Sequence, residues 1–316
     1  MQQDDSFHYA TLTTPAPRQF GQCADCAAGT CAPQRGRRLF TGLLGAGLVL
    51  PTVPAWAREG VEVGEKSKFV GLVSADQIEK AGAQQYLALK QEAAQKRSLA
   101  PEGQPQLIRL REIASRIIPF SYEWNERARR WRWEVTLLGD PTLNAFCMPG
   151  GKIAFYYGIL EQLKLEDDEV AAIMGHEVAH ALREHARERM GKSTATSAVV
   201  ELGSALLGLG NLGRAAAGMG AQLLSLKFSR GDESEADLIG IELAARAGYD
   251  PAAAVRLWHK MSEASKGAPP QWLSTHPSND TRIRDLEANI PKVAGLYARA
   301  DKPTRRFPVA PPLKRG

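Results

Sequence analysis

Cysteine is scarce in this chain of 316 residues, which contains four. Cys23, Cys26 and Cys31 cluster near the amino terminus, and Cys147 stands alone in the rest of the sequence. A disulfide within the body of the chain is therefore excluded, so we expect a hydrophobic core and a bound metal to stabilise it. The cysteine cluster has some features of a zinc knuckle, but it lacks a well-spaced fourth ligand, which favours a disordered leader instead.

Long hydrophobic runs and internal repeats are also missing. No apolar run reaches the roughly 18 residues expected of a membrane-spanning helix, and no unit of about 20–50 residues recurs. The net charge of +5 does not indicate a nucleic-acid partner. The tail from Lys292 to Gly316 carries seven lysines and arginines against one acid, so the body before it is slightly acidic. A basic tail on such a body excludes a nucleic-acid-binding domain.

Residues 1–57 have the features of an export leader. Arg37 and Arg38 precede an apolar run at residues 39–50, and Ala-Trp-Ala at residues 55–57 forms a small-x-small cleavage site. The two arginines before Leu39 resemble a twin-arginine signal, so we expect a periplasmic protein. An uncleaved leader that tethers the protein to the membrane is the alternative.

Residues 58–290 are predicted to form one α+β domain that is mostly α-helical and contains a small antiparallel sheet. Alternating apolar and polar residues predict the strands, and apolar residues spaced three or four apart predict the helices. Residues 267–278 are predicted to be a loop. The predicted strands span 131–138, 143–148 and 153–157, and the predicted helices span 77–97, 106–118, 169–190, 232–247, 250–265 and 279–289.

Two further segments are distinguished by composition. Residues 191–220 are rich in glycine and alanine, which favours a close-packed helix pair over a hairpin that dips into a membrane or grips an apolar substrate. Residues 291–316 are basic and rich in proline, which favours a disordered, solvated tail. Peripheral contact of this tail with anionic lipid or the cell wall is the alternative.

The predicted helix 169–190 contains the motif His176-Glu177-x-x-His180. Four helical residues advance about 400°, so both histidines project from one face and can bind one zinc ion. Glu177 lies about 100° round the helix, where a base that activates water belongs. The alternative is a surface helix with a glutamate–histidine pair, but the many apolar neighbours indicate a buried helix. His185 lies about 180° from His176 and is interpreted as a surface residue.

A third zinc ligand is expected in the acidic segment 232–237, because a catalytic zinc site usually has three protein ligands and a water. Glu233 and Asp237 are four residues apart, so they share one helix face. One carboxylate can bind zinc while the other accepts the N–H of a ligand histidine. Glu235 points away and is interpreted as a solvated charge. An acidic first helical turn favoured by the helix dipole is the alternative, but it does not account for Asp237.

These motifs resemble the gluzincin peptidases that include HtpX and the CAAX prenyl proteases. The resemblance covers about residues 70–290 and rests on HEVAH, on SRxxExEAD about 50 residues later, on Asn144-Ala145-Phe146 followed by residues 149–153, and on His276-Pro277 with Arg282-Ile283. It implies a zincin-type metalloprotease with one zinc ion per chain, bound by His176, His180 and Glu233. The chain lacks the multiple spanning helices of HtpX and looks like the short, exported, single-domain type.

The resemblance also implies roles for residues outside these helices. Asn144, Ala145 and Phe146 belong to an edge strand that is expected to pair with substrate. His276 and Arg282 are the expected donors to the oxyanion of the tetrahedral intermediate. Alternatively, His276 is a fourth zinc ligand that displaces water and keeps the enzyme latent, and Arg282 is a structural ion-pair partner.

The predicted function is that of a zinc metalloendopeptidase for unfolded or misassembled proteins of the cell envelope. An edge strand binds the backbone of an extended substrate, which gives weak sequence preference, and the export leader points to envelope substrates. A zinc-binding chaperone or assembly factor of the same fold, without proteolysis, is the alternative. A structural protein whose HExxH motif is accidental is a third hypothesis. No nucleic-acid partner is expected, and the oligomeric state is left open.

Overall fold

Helices make up most of the computed structural model, which describes residues 58–206, 223, 226–266, 270–277 and 280–313. In this part of the chain the α-helices are α1 (Ala75–Gln95), α2 (Pro105–Ser121), α3 (Tyr157–Gln162), α4 (Asp167–Leu182), α5 (His185–Leu206), α6 (Arg230–Arg246), α7 (Ala253–Ala264), α8 (Gln271–Thr275) and α9 (Asp280–Arg299). The strands are β1 (Glu134–Leu138), β2 (Ala145–Met148) and β3 (Lys152–Tyr156), and short 3-10 helices span Lys68–Leu72 and Glu126–Arg130.

The predicted fold class, a mostly helical α+β domain with a small sheet, is confirmed. The predicted export leader and residues 207–220 of the glycine-rich segment lie outside the described residues. Among the residues that are described, no helix combines the length and the hydropathy needed to cross a membrane.

The three strands form a mixed sheet in the order β1-β3-β2. β2 pairs with β3 antiparallel, whereas β1 pairs with β3 parallel. The prediction of an antiparallel sheet is therefore wrong for β1. The reason is the connection at residues 139–144, which crosses the end of β3 before the chain turns back as β2. Gly150 and Gly151, with positive φ of 86° and 77°, then close the turn into β3.

Helix α4 lies at the centre of the domain. Every residue of α4 except Asp168 is buried, and its neighbours are α2, α6, α7 and β2. At its amino terminus the Glu166 backbone N–H donates to the Glu169 carboxylate at 2.8 Å, which satisfies a donor that the helix itself leaves unpaired. A helix that is apolar around most of its circumference has to be enclosed by neighbouring helices and strands.

A pair of glycines brings α4 and α6 into direct backbone contact. A Cβ added to Gly175 would lie 2.6 Å from the Gly240 carbonyl oxygen, and one added to Gly240 would lie 2.9 Å from the His176 backbone nitrogen. Close-packed interiors cannot absorb such overlap without moving backbone. The contact holds the amino-terminal half of α6 beside His176, and that half contains Glu233 and Asp237.

Helix α4 ends earlier than predicted. The helix predicted to run to Met190 stops at Leu182, and α5 begins at His185. Between them Glu184 adopts the left-handed conformation, with φ of 61°. The Asn125 side-chain amide donates to the Leu182 carbonyl at 3.0 Å, which satisfies an acceptor at the end of the helix. The helical phase that relates residues of α4 to one another therefore does not extend to α5.

The carboxyl-terminal region packs against the domain instead of forming the predicted disordered tail. Helix α9 continues through Pro291, past the predicted domain boundary, and buries Val293 and Leu296. Burial of these side chains favours the continued helix because it removes apolar surface from water. Three hydrogen bonds attach the segment that follows: Phe307 N–H to Asp167 at 3.0 Å, Gln106 Nε2 to the Pro308 carbonyl at 3.1 Å, and the Tyr157 hydroxyl to the Pro311 carbonyl at 2.9 Å.

Candidate metal centre

Four buried side chains converge at one point of the domain: His176, His180, Glu233 and His276. The first two come from α4, Glu233 comes from the first turn of α6, and His276 follows α8 directly. Their potential ligand atoms all lie within 4.8 Å of one another. The structure thus brings the three predicted zinc ligands together with His276, although His176 and His276 are 100 residues apart in the chain.

The spacing of these atoms suits a tetrahedral zinc ion. A tetrahedron with bonds of about 2.0–2.1 Å has edges of about 3.3–3.4 Å. His176 Nε2 lies 3.1 Å from His180 Nε2 and 3.3 Å from His276 Nδ1. The Glu233 carboxylate lies 3.5 Å from each α4 histidine and 3.0 Å from His276 Nδ1. Imidazole nitrogens and a carboxylate are donors that zinc accepts readily, so donor set and spacing both fit this ion.

A carboxylate fixes the ring of His176. His176 Nδ1 lies 3.0 Å from Asp237 Oδ1, so Nε2 faces the candidate metal position. Arg282 donates to both oxygens of Asp237 at 2.7 Å. Burial raises the pKa of Asp237, but the charges and hydrogen bonds of Arg282 and His176 together outweigh burial and hold that pKa below its usual value. Burial lowers the pKa of His176, but Asp237 and Glu233 outweigh burial and raise that pKa to about 9.

Arg282 also reaches Glu233. Its Nη1 lies 2.7 Å from Glu233 Oε2, and its guanidinium lies 3.9 Å from the centre of the Trp258 ring. Burial raises the pKa of Glu233, but hydrogen bonds from His176 and His276 outweigh burial and hold that pKa far below its usual value. Arg282 therefore bridges the two carboxylates of α6 that the sequence singled out, and Glu233 stays ionised as a metal ligand must.

His180 has a different partner, which the sequence did not predict. His180 Nδ1 lies 2.9 Å from Nδ1 of His185, whose Nε2 lies 3.4 Å from Glu235 Oε2. The interpretation of His185 as a surface residue is wrong: the helix break at Glu184 turns it toward His180, and it is 2% exposed. Glu235, interpreted as a solvated charge, is instead bonded at 2.6 Å by Arg183 Nε. Burial holds the pKa of His180 well below its usual value, which keeps the ring neutral.

The expected base, Glu177, lies in the same buried centre. Its Oε1 accepts a hydrogen bond of 2.7 Å from the Trp272 indole and lies 3.6 Å from His276 Nε2. The Trp272 ring also stacks on His276, with centroids 5.0 Å apart. Sequence reasoning missed Trp272. The available signal was its spacing of four residues from His276, but the predicted loop at 267–278 concealed the short helix that makes this spacing meaningful.

The predicted substrate strand borders this centre. In the described sheet β2 is an edge strand, and it begins at Ala145. Asn144 precedes it and accepts a hydrogen bond from the Ala145 backbone N–H at 3.0 Å. One cavity is lined by side chains of the strand and of the candidate metal centre together, among them Asn144, Phe146, Glu177, His180, Phe228 and His276. A chain bound along β2 would therefore lie beside Glu177.

Comparison with known proteins identifies the family. Residues 108–290, more than half of the chain, match Peptidase family M48. The chain belongs to this family. Its membership confirms the resemblance that the motifs indicated, and it confirms the predicted class of enzyme, a metallopeptidase.

The relatives of the chain include mitochondrial and bacterial proteins. It is 42% identical over 164 residues to the mitochondrial metalloendopeptidase OMA1 of Schizosaccharomyces pombe, which covers 51% of this chain and 48% of the relative. It is 40% identical over 168 residues to OMA1 of Arabidopsis thaliana, and this match covers 53% of this chain and 34% of the relative. It is 31% identical over 171 residues to the beta-barrel assembly-enhancing protease of Yersinia pestis, and this match covers 51% of this chain and 35% of the relative. The match thus spans less than half of the length of each of these relatives.

Proposed function

We propose that this member of Peptidase family M48 is a zinc-dependent metalloendopeptidase that binds one zinc ion per chain. The observation that carries the proposal is the donor spacing of 3.1–3.5 Å among His176, His180 and Glu233, which suits tetrahedral zinc. Glu177 supplies a further carboxylate in the same buried centre. When bound, zinc supplies Lewis-acid chemistry, since it acidifies water and polarises the scissile carbonyl.

Glu177 is the proposed base and acid of the reaction. In the resting protein, the Trp272 indole donates a hydrogen bond to Oε1 of this carboxylate at 2.7 Å. We assign to this carboxylate the removal of a proton from the attacking water and the delivery of that proton to the leaving amine. Because the side chain is buried, bulk water does not compete for these transfers.

His276 is proposed to be a fourth ligand in the resting protein. Its Nδ1 lies within 3.3 Å of both His176 Nε2 and the Glu233 carboxylate, a placement that supports the ligand interpretation over the oxyanion-donor interpretation. A fourth protein ligand would occupy the position that a catalytic zinc site keeps open for water. Catalysis then requires His276 to leave, and residues 270–277 would carry it away.

Arg282 is proposed to act as an ion-pair partner. Its contacts with Asp237 and Glu233, all at 2.7 Å, support this interpretation over that of an oxyanion donor. Two ionised carboxylates buried side by side repel each other, and a charged guanidinium between them offsets that repulsion. In this role Arg282 joins α9 to the two carboxylates of α6.

The proposed substrates are unfolded or misassembled proteins of the cell envelope. An extended chain can add to β2 through backbone hydrogen bonds, with Asn144, Ala145 and Phe146 as the first contacts, and this mode places few demands on sequence. The export leader and the similarity to a bacterial protein named beta-barrel assembly-enhancing protease support a periplasmic location. The name of that relative also supports envelope proteins as substrates.

Cleavage of an unfolded protein by the purified chain tests the proposal. Casein, with stoichiometric zinc, should be cleaved by the wild-type protein, and Glu177→Gln should reduce the rate by about 10²–10⁴-fold while zinc stays bound. The glutamine keeps the size and the hydrogen-bond acceptor of the side chain but cannot take a proton. Glu287→Gln, an identical change at an exposed position of α9, is the matched control.

Two results would overturn the proposal. Retention of cleavage by Glu177→Gln would show that another group activates water. Zinc binding and suppression of casein aggregation without any cleavage, in wild type and variant alike, would support the zinc-binding chaperone instead.

A further inference from the structure

We propose that His185 and Glu235 are positioning residues that hold the ring of His180, so that the two α4 histidines are oriented by chemically different partners. This inference rests on the proposed zinc site. Asp237 supports His176 with a full negative charge. His185 supports His180 with a neutral imidazole, and Glu235 orients that imidazole from behind.

The geometry assigns the protons of this chain of side chains. If His180 binds metal through Nε2, its Nδ1 carries a hydrogen that needs an acceptor. The nearest partner is His185 Nδ1, at 2.9 Å. His185 therefore accepts at Nδ1 and carries its own proton on Nε2, which faces Glu235 Oε2 at 3.4 Å. Hydrogen bonds run in one direction from His180 through His185 to Glu235.

The fold holds each member of the chain in place. His185 is 2% exposed and begins α5, directly after the left-handed residue Glu184, so its backbone position is set by the helix break. Arg183 Nε donates to Glu235 Oε2 at 2.6 Å, and its Nη2 donates to the carbonyl of Gly64 at 2.6 Å. Arg183 therefore holds the Glu235 carboxylate, and the Gly64 carbonyl in turn holds Arg183.

A neutral partner suits His180 because of the charges already present. With zinc bound, the three buried carboxylates of Glu233, Asp237 and Glu177 are balanced by the divalent ion and by the guanidinium of Arg282, among the groups described there. A fourth carboxylate in direct contact with the ligand rings would add repulsion that burial makes costly. The imidazole of His185 transmits the hydrogen bond and keeps the charge of Glu235 one ring farther from the metal position.

Loss of this chain should weaken zinc binding. Removing the hydrogen-bond partner of a ligand histidine lowers metal affinity by roughly 10–100-fold. In the full-length protein, His185→Ala is expected to lower zinc affinity by that factor, because His180 Nδ1–H would be left buried without an acceptor. His185→Asn should restore most of the affinity, because the amide oxygen of asparagine takes the place of Nδ1. The exposed His259→Ala, on α7, is the control.

The measurement is competition for zinc against a chromophoric chelator, followed by the visible absorption spectrum of the cobalt-substituted protein. Circular dichroism of each variant reports folding. A shift in the cobalt bands of His185→Ala, with wild-type bands restored in His185→Asn, would show that the ring orientation of His180 has changed and recovered. A purely structural role of His185 would change stability without this spectral shift.

The outcomes distinguish failure of the hydrogen-bond relay, which is the chain from His180 through His185 to Glu235, from failure of the zinc site itself. Zinc affinity and cobalt bands of His185→Ala equal to those of the wild type would overturn the relay and leave the proposed function intact. Failure of the wild-type chain to bind zinc would overturn the proposed function. If His185→Ala does not fold, Glu235→Ala and Glu235→Gln decide: the relay requires weaker zinc binding in the first than in the second, since glutamine keeps an acceptor oxygen, and equal affinities would overturn it.

Discussion

The candidate metal centre joins two regions that are built differently. His176, His180 and Glu233 project from α4 and α6, long helices that are buried and held together by the contact of Gly175 with Gly240. His276 and Trp272, in contrast, belong to residues 270–277, where α8 contains five residues. Long core helices position the first set, whereas a short segment that is anchored in the core by Trp272 positions the second.

Residues 270–277 are attached by the buried side chain of Trp272, which belongs to the hydrophobic core, and by a few hydrogen bonds. The Trp272 N–H donates to the Leu143 carbonyl at 3.1 Å, the Phe228 N–H donates to the Thr275 carbonyl at 3.2 Å, and the Trp272 indole donates to Glu177. A helix of this length has little stability of its own, and elements with few anchoring contacts open at lower cost than a core does. The comparison supports the proposal that His276 can leave the centre while His176, His180 and Glu233 stay.

The largest expected effect comes from disturbing the helix contact. Gly175→Ala places a Cβ 2.6 Å from the Gly240 carbonyl oxygen, so α6 must shift, at a cost of about 1–3 kcal/mol in the free energy of unfolding. Zinc affinity should fall with it, because Glu233 moves away from the histidines. Urea denaturation and zinc competition measure the two effects. Gly71→Ala is the control, since its added Cβ meets no atom within 4 Å, and equal unfolding midpoints for the two variants would contradict the prediction.

Removing the side chain of His276 should have a smaller effect, and it should raise the rate of cleavage. His276→Ala is expected to raise casein cleavage several-fold, because it opens the position that water needs, while zinc remains bound by His176, His180 and Glu233. Initial rates and metal content measure both parts. A fall in rate of about 10²-fold or more with zinc retained would instead assign His276 to oxyanion stabilisation.

Removing the hydrogen bond between Trp272 and Glu177, which helps to attach residues 270–277, should raise the rate of cleavage by a smaller factor. Trp272→Phe keeps an aromatic ring against His276 but removes the N–H that bonds Glu177, an interaction of about 1.5–3 kcal/mol for a charged acceptor. We expect a modest rise in cleavage rate and a fall in thermal stability that reflects the lost hydrogen bond. Trp124→Phe is the control, because the Trp124 indole nitrogen has no hydrogen-bond partner among the described residues. Loss of cleavage with zinc retained would show that Trp272 holds Glu177 in its productive orientation.

The smallest expected effect is the release of protons on zinc binding. It depends on His176 of α4 and on its partner Asp237 of α6. The pKa of His176 is raised to about 9 in the metal-free protein, so this ring is protonated at neutral pH, whereas a ligand ring must be neutral. Zinc binding near neutral pH should therefore release about one proton from His176, and zinc affinity should rise with pH until about pH 9. Calorimetry in buffers of different ionisation enthalpy measures the release. Asp237→Asn should reduce it, and a release near zero in the wild type would contradict the assignment.

Sequence periodicity was sufficient to predict which side chains share a face when they lie on one continuous helix. His176 and His180, and likewise Glu233 and Asp237, are four residues apart on continuous helices, so their shared faces could be read directly. The same method was wrong for His185, because one residue in the left-handed conformation, Glu184, ends the helix before it. Periodicity carries no information across such a break.

Relations between distant segments were mostly inaccessible to this kind of reasoning. The parallel pairing of β1 with β3 depends on the path of residues 139–144, and each strand shows the same alternation in either direction. The burial of Val293 and Leu296 in α9 depends on neighbours elsewhere in the chain, whereas the composition around them favoured a solvated tail.

By itself, the sequence determined the chemistry that is available: two imidazoles and two carboxylates at helical spacing, and motifs specific enough to indicate the family. Tertiary structure alone decided which distant groups complete that chemistry, since it placed Trp272 on Glu177, His185 on His180 and Arg282 between Glu233 and Asp237. The physical reason is one of range. Helical geometry acts over a few residues and can be calculated from spacing, whereas these contacts join side chains that meet only after breaks, turns and close-packed glycines have set the path of the chain.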